Sequence, residues 1–68
     1  MAKAIKASDF VAFYEQQELP GIGVVLMFSG NPNKAKVTIE DNGLLTIKQD
    51  DIGLDLAISG EFWKLKSQ

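Results

Sequence analysis

The run Ile22-Gly23-Val24-Val25-Leu26-Met27-Phe28 has no charged or strongly polar side chain, and no stretch of that length outside residues 19–28 shares this property. A strand sends alternate side chains to opposite faces, so a run that is apolar at both parities needs cover on both sides. Read as a strand over residues 22–29, it requires the rest of the chain to supply that cover.

Upstream, Ser8 and Asp9 read as a helix start. Ser8 can accept the free N–H groups of a first turn, and Asp9 sits where the helix dipole favours negative charge. Phe10, Phe13, Tyr14 and Gln17 then follow i, i+3, i+4, i+7 spacing, with Val11 beside them, which predicts a one-sided helix over about residues 8–18. Leu19-Pro20-Gly21 ends it, because Pro20 disfavours helical geometry at Leu19 and Gly21 permits the turn. Such a short helix is marginal alone in water, so its aromatic face must dock on the apolar run. Residues 3–6 form a loosely docked lead-in, with Ile5 against the body.

Downstream, residues 29–33 are a loop by composition. Residues 35–40 alternate, with Ala35, Val37 and Ile39 inward, and Asp41-Asn42-Gly43 turns the chain. A three-residue loop with Gly43 in the left-handed region sets Ile39 opposite Leu45, Val37 opposite Ile47 and Thr38 opposite Thr46. A two-residue turn would mix core with surface, and a one-residue slip inverts every side chain. Strands over residues 44–49 and 54–59 follow, joined by Asp50-Asp51-Ile52-Gly53, with Gln49 facing Leu54, Ile47 facing Leu56 and Leu45 facing Ile58. Gly60-Glu61 fits a type II′ turn that pairs Ser59 with Phe62, Ile58 with Trp63, Leu56 with Leu65 and Asp55 with Lys66 on a last strand, 62–67.

The fold class expected is therefore α+β, mainly β: a short N-terminal helix followed by a five-stranded antiparallel meander, either an open sheet covered by the helix or a small closed barrel. This order of elements is similar to that of the SH3-like and Sm-like small barrels. No Sm-type motif accompanies the resemblance, so it carries no functional residue with it.

The 68 residues are read as one domain, 1–68. A core this small rarely supplies more than roughly 3–5 kcal/mol, and small proteins commonly add disulfides, a metal or oligomerisation. The chain has no cysteine and no histidine, which removes disulfides and nearly every usual zinc, iron or copper site. The same absences leave general acid–base and nucleophilic catalysis short of their usual groups, so no enzyme, no catalytic residue and no cofactor is expected. Asp50, Asp51 and Asp55 could face a hard cation, but their spacing matches no metal loop and no metal ligand is assigned. No apolar run approaches the roughly 20 residues of a membrane span, and residues 1–6 lack a signal-peptide core, so no membrane partner and a cytoplasmic location are expected.

Two binding surfaces compete. If Val24, Leu26 and Phe28 join the core, Val25 and Met27 emerge among Lys36, Thr38, Thr46 and Lys48. Leaving both in water forgoes roughly 1.5–3 kcal/mol each, so either the helix or another chain is expected to cover them. Val25, Met27 and the outward Phe62 are the candidate protein interface, and the function expected is a non-enzymatic protein-binding or adaptor module acting through self-association or a protein partner. The alternative is a single-stranded nucleic-acid face made of Lys64, Lys66, Trp63 and Phe62, since lysine stripes with exposed aromatics hold single strands. The seven lysines stand against nine acidic residues and a net charge of −2, which weighs against phosphate-backbone binding. The acidic, compact character also suits a small inhibitor of the kind mobile elements encode.

Overall fold

A computed structural model describes residues 1–66 and resolves them into seven strands and one helix: β1 (Lys3–Ile5), β2 (Phe10–Tyr14), β3 (Gln17–Pro20), α1 (Gly21–Phe28), β4 (Lys36–Ile39), β5 (Leu45–Gln49), β6 (Leu54–Ile58) and β7 (Trp63–Leu65). One sheet has the order β1-β4-β5-β6 and the other β3-β2-β7, with every pairing antiparallel. The protein is mainly β and open: there are two sheets rather than a closed barrel or a single meander, and the helix follows the third strand rather than preceding the first.

The expected assignments on either side of Pro20 exchange places. Residues 8–18 are not a helix. A single 3₁₀ turn at Ala7–Asp9 leads straight into β2, which pairs with β3 through Tyr14 opposite Gln17. The residues between them, Glu15 and Gln16, have φ of 49° and 68°. Positive φ at both central positions is the geometry of a tight hairpin whose twist matches its strands, usually signalled by Asn-Gly or Asp-Gly. Asp9 keeps a capping role on the smaller turn: its Oδ2 accepts the Lys6 N–H at 2.9 Å, and its own N–H donates to the Lys6 carbonyl at 2.9 Å.

The apolar run 22–28 is helical rather than a strand. A short apolar run bounded by glycine and proline fits either state, and here the helix wins because only part of it has to be buried. Gly21 and Val25 face inward and are buried, as is Val24, whereas Ile22 and Leu26 face solvent. Gly21 is required by close approach: a Cβ there would lie 2.2 Å from the Ala7 carbonyl oxygen and 2.6 Å from the Phe10 ring. The helix ends at Gly30, whose φ of 78° lets its N–H reach the Leu26 carbonyl at 3.1 Å.

From residue 36 onward the expected registers hold through two hairpins. Val37 faces Ile47, Thr38 faces Thr46 and Ile39 faces Leu45; then Leu45 faces Ile58, Ile47 faces Leu56 and Gln49 faces Leu54. Gly43 has φ 89°, its N–H donates to the Glu40 carbonyl at 3.0 Å, and the Glu40 N–H donates to the Leu44 carbonyl at 2.8 Å, which closes the three-residue loop. The lead-in is more ordered than expected. Residues 3–5 form β1, with Ile5 opposite Val37.

The third hairpin does not form. Residues 60–62 make a 3₁₀ turn, with the Phe62 N–H donating to the Ser59 carbonyl at 2.9 Å, and β7 crosses to the second sheet. There Phe10 faces Leu65, Val11 faces Lys64 and Ala12 faces Trp63, so none of the pairings expected between residues 55–59 and 62–66 occurs. Of the strand expected over 62–67, Ser67 lies outside the described residues. The two sheets and α1 enclose a core in which Phe10, Val25, Leu45 and Ile47 are fully buried. Gln49, at the same parity as Leu45 and Ile47, is buried too, and its Oε1 accepts the Ser29 hydroxyl.

Gly21→Ala should lower the unfolding free energy by about 2 kcal/mol or more, because the new methyl meets backbone. Gly23→Ala, whose methyl would meet nothing within 4 Å, should raise it by about 0.5–1 kcal/mol. Urea unfolding of both variants distinguishes this helix from a strand, in which the two glycines would not differ in this way. Gln16→Gly should add about 0.5–1 kcal/mol by relieving the left-handed backbone, and a loss of stability in the same assay would contradict the tight hairpin.

Candidate functional site

Three local features converge to form one groove. The tight turn at Glu15 and Gln16 holds Tyr14 at the tip of the β2–β3 hairpin. The stop at Gly30 leaves Met27 and Phe28 in the last turn of α1. The 3₁₀ turn at residues 60–62 swings Phe62 away from the core. Between them lies a groove of about 680 Å³, floored by Ala12, Leu19 and Val24 and walled on the far side by Leu56, Ala57, Ile58 and Ser59. Val24, Met27 and Phe28 reach it together because i, i+3 and i+4 share one helix face.

The groove is apolar, and four of its five aromatic and thioether side chains are poorly covered: Tyr14, Met27, Phe28 and Phe62 are 64%, 66%, 48% and 52% exposed, whereas Phe13 is half-buried. Contiguous exposed apolar side chains on so small a protein mark an interaction surface more often than scattered ones do. Its β6 wall is also a sheet edge, since β6 pairs with β5 on one side and with no described strand on the other. An edge strand carries a row of backbone N–H and C=O groups available to another chain.

Of the expected protein interface, Met27 and Phe62 line this groove, while Val25 is fully buried. Strand parity places Val25 outside, but on a helix it falls on the core face one turn from Gly21. Tyr14, Phe28 and the edge of β6 are not in the protein interface expected from the sequence pattern, which assigns Phe28 to the core. Helical spacing assigns Tyr14 to packing, and the expected last hairpin gives residues 54–59 a strand partner that they do not have.

The residues of the alternative nucleic-acid face are dispersed. Trp63 is half-buried against the core and its Nε1 donates to the Gly43 carbonyl at 3.1 Å. Lys64 points to the other face of β7, 3.3 Å from Glu18 and 5.6 Å above the Phe13 ring. Lys66 follows the strand, its N–H donating to the Asp9 carbonyl at 2.8 Å. Phe62 alone faces the groove. Asp51 pairs with Lys34 at 3.7 Å and Asp55 lies opposite Lys48, and among the described residues no group of three acidic side chains is close enough to share a metal ion. No described helix is long and apolar enough to cross a membrane.

Among the described residues the only charged side chain in the groove lining is Glu15, and the nearby Lys64, above the ring of the lining Phe13, is paired with Glu18. Glu15 and Glu61, which adjoins Phe62, are both exposed and in no ion pair among the described residues, and no described lysine lines the groove. Comparison of the chain with protein families, with curated proteins and with solved structures finds no match.

If the groove face is uncovered in the isolated protein, Met27→Lys should change the unfolding free energy by no more than about 0.5 kcal/mol. Val25→Ala, on the same helix, should cost about 2 kcal/mol. Equal losses in a denaturant titration would place Met27 in a packed environment.

Proposed function

We propose that the chain is a non-enzymatic protein-docking module and that the groove between α1, the β2–β3 hairpin and β6 is its binding surface. One observation carries this reading: four large side chains, Tyr14, Met27, Phe28 and Phe62, stand exposed around a single apolar groove whose wall is an unpaired strand edge among the described residues. Each contributes little to the free protein where it stands. As they are already a third to a half covered, burial by a partner would recover roughly 0.7–2 kcal/mol for each, enough for specific though not tight association once the cost of docking is met.

The non-enzymatic part of the reading rests on chemistry. A site with no histidine or cysteine, lined by one carboxylate and otherwise by apolar groups, a tyrosine and a serine, offers a shape to recognise rather than groups that move protons or attack a carbonyl.

Peptides selected from a random library on the wild-type protein test the proposal. Against a Tyr14→Ala, Met27→Ala, Phe62→Ala variant they should bind at least about tenfold more weakly, a loss typical of removing central apolar anchors. The variant's unfolding curve should stay close to that of the wild type. Selected peptides that bind both proteins equally would remove the groove from the function.

A further inference from the structure

Building on the docking reading, we infer that the groove's occupant is an extended segment of another protein that adds to the free edge of β6 and carries lysine or arginine at alternate positions. Three observations fit this occupant. First, β6 is both the last strand of its sheet and a wall of the groove, so an incoming strand can hydrogen-bond the backbone while placing every second side chain beside Leu56 and Ile58. Apolar residues suit those positions. Second, the intervening side chains of the newcomer would fall on the outer face, next in line after Lys36, Lys48 and Asp55, which lie side by side across β4, β5 and β6. The residues of β6 on that face are Asp55 and Ala57, so the charge that would meet them is negative, and opposite charge across a strand pair is favoured. Third, among the described residues the one charged side chain that lines the groove is the carboxylate of Glu15, which has no ion pair; Glu61, next in sequence to the lining Phe62, has none either, and no described lysine lines the groove.

The same charges argue against a second copy of this chain as the occupant. A twofold contact uses the same patch on both subunits, so it would bring together two grooves that each carry the Glu15 carboxylate and no described lining lysine to pair with it. They also argue against a lipid surface, because interfacial helices that bind membranes carry lysine or arginine beside their apolar face, and α1 has neither.

The probe is a fluorescein-labelled eight-residue peptide alternating valine and lysine, with two companions: one with glutamate in place of every lysine, and one with proline in place of a central valine. The lysine peptide should bind, with backbone amide shifts centred on residues 54–59. The glutamate peptide should bind at least about tenfold more weakly, and the proline peptide should lose most of its affinity, since it cannot continue the ladder. Glu15→Lys with Asp55→Lys should reverse the preference between the lysine and glutamate peptides, and a folded amide spectrum of that variant keeps the comparison valid. Equal binding of the two charged peptides, or shifts that map to the lysine-bearing face of β4 and β5, would overturn the inference. So would sedimentation as a dimer whose β6 amides shift on dilution. In each of those cases library peptides that still require Tyr14, Met27 and Phe62 would leave the docking reading standing, and their loss of that requirement would remove both.

Discussion

The last strand, β7, pairs with β2 in the second sheet rather than with β6 in the first. The crossing is anchored at one backbone carbonyl. Gly43, in the loop between β4 and β5, accepts the Trp63 indole N–H at 3.1 Å, and a Cβ added at Gly60 would lie 3.3 Å from the same oxygen. A glycine at the start of the crossing and an indole at its end thus bracket one acceptor, which ties the second sheet to a loop of the first. The consequence for β6 is direct. Its outer row of backbone groups stays without a strand partner among the described residues, and the space β7 would have occupied becomes the groove.

The helix completes the site because it lacks a polar face. A helix that is apolar all round is normally enclosed by protein or lipid, yet α1 buries only Gly21, Val24 and Val25 and leaves Ile22, Leu26, Met27 and Phe28 exposed. Close contact of Gly21 with the 3₁₀ turn before β2 holds the helix start against the core, and the left-handed Gly30 fixes where it stops. Met27 and Phe28 are thereby presented at a defined place opposite β6. Rigid presentation of apolar side chains reduces the ordering cost of binding, which suits a docking surface better than a mobile one.

The C-terminal half is legible because each level of the sequence agrees. Ala35 to Ile39 and Leu54 to Ile58 alternate cleanly, and Gly43 and Gly53 mark the two turns where left-handed backbone is needed. The N-terminal half gives conflicting signals. Phe10, Phe13 and Tyr14 satisfy helical spacing, yet Phe10-Val11-Ala12-Phe13-Tyr14 is also rich in the aromatic and β-branched types that strands favour. Glu15 and Gln16 make a tight hairpin turn without the glycine or asparagine that would announce it. Once residues 10–14 are taken as a helix, no second sheet exists for β7 to join, and Trp63 is forced opposite Ile58. Strand parity and the register of a third hairpin place Met27 and Phe62 outside although neither element forms, whereas the β6 edge depends on a long-range choice of partner that local pattern does not encode.

The central claim is that β6 is an edge strand facing an open groove, and amide hydrogen exchange along Leu54 to Ile58 at low micromolar concentration tests it most directly. One alternating set of these amides bonds to β5 and the other points to the groove. The account predicts slow exchange for the first set and exchange near the rate of an unstructured chain for the second. Uniform protection of all five amides would show that another strand covers β6, and would contradict the account.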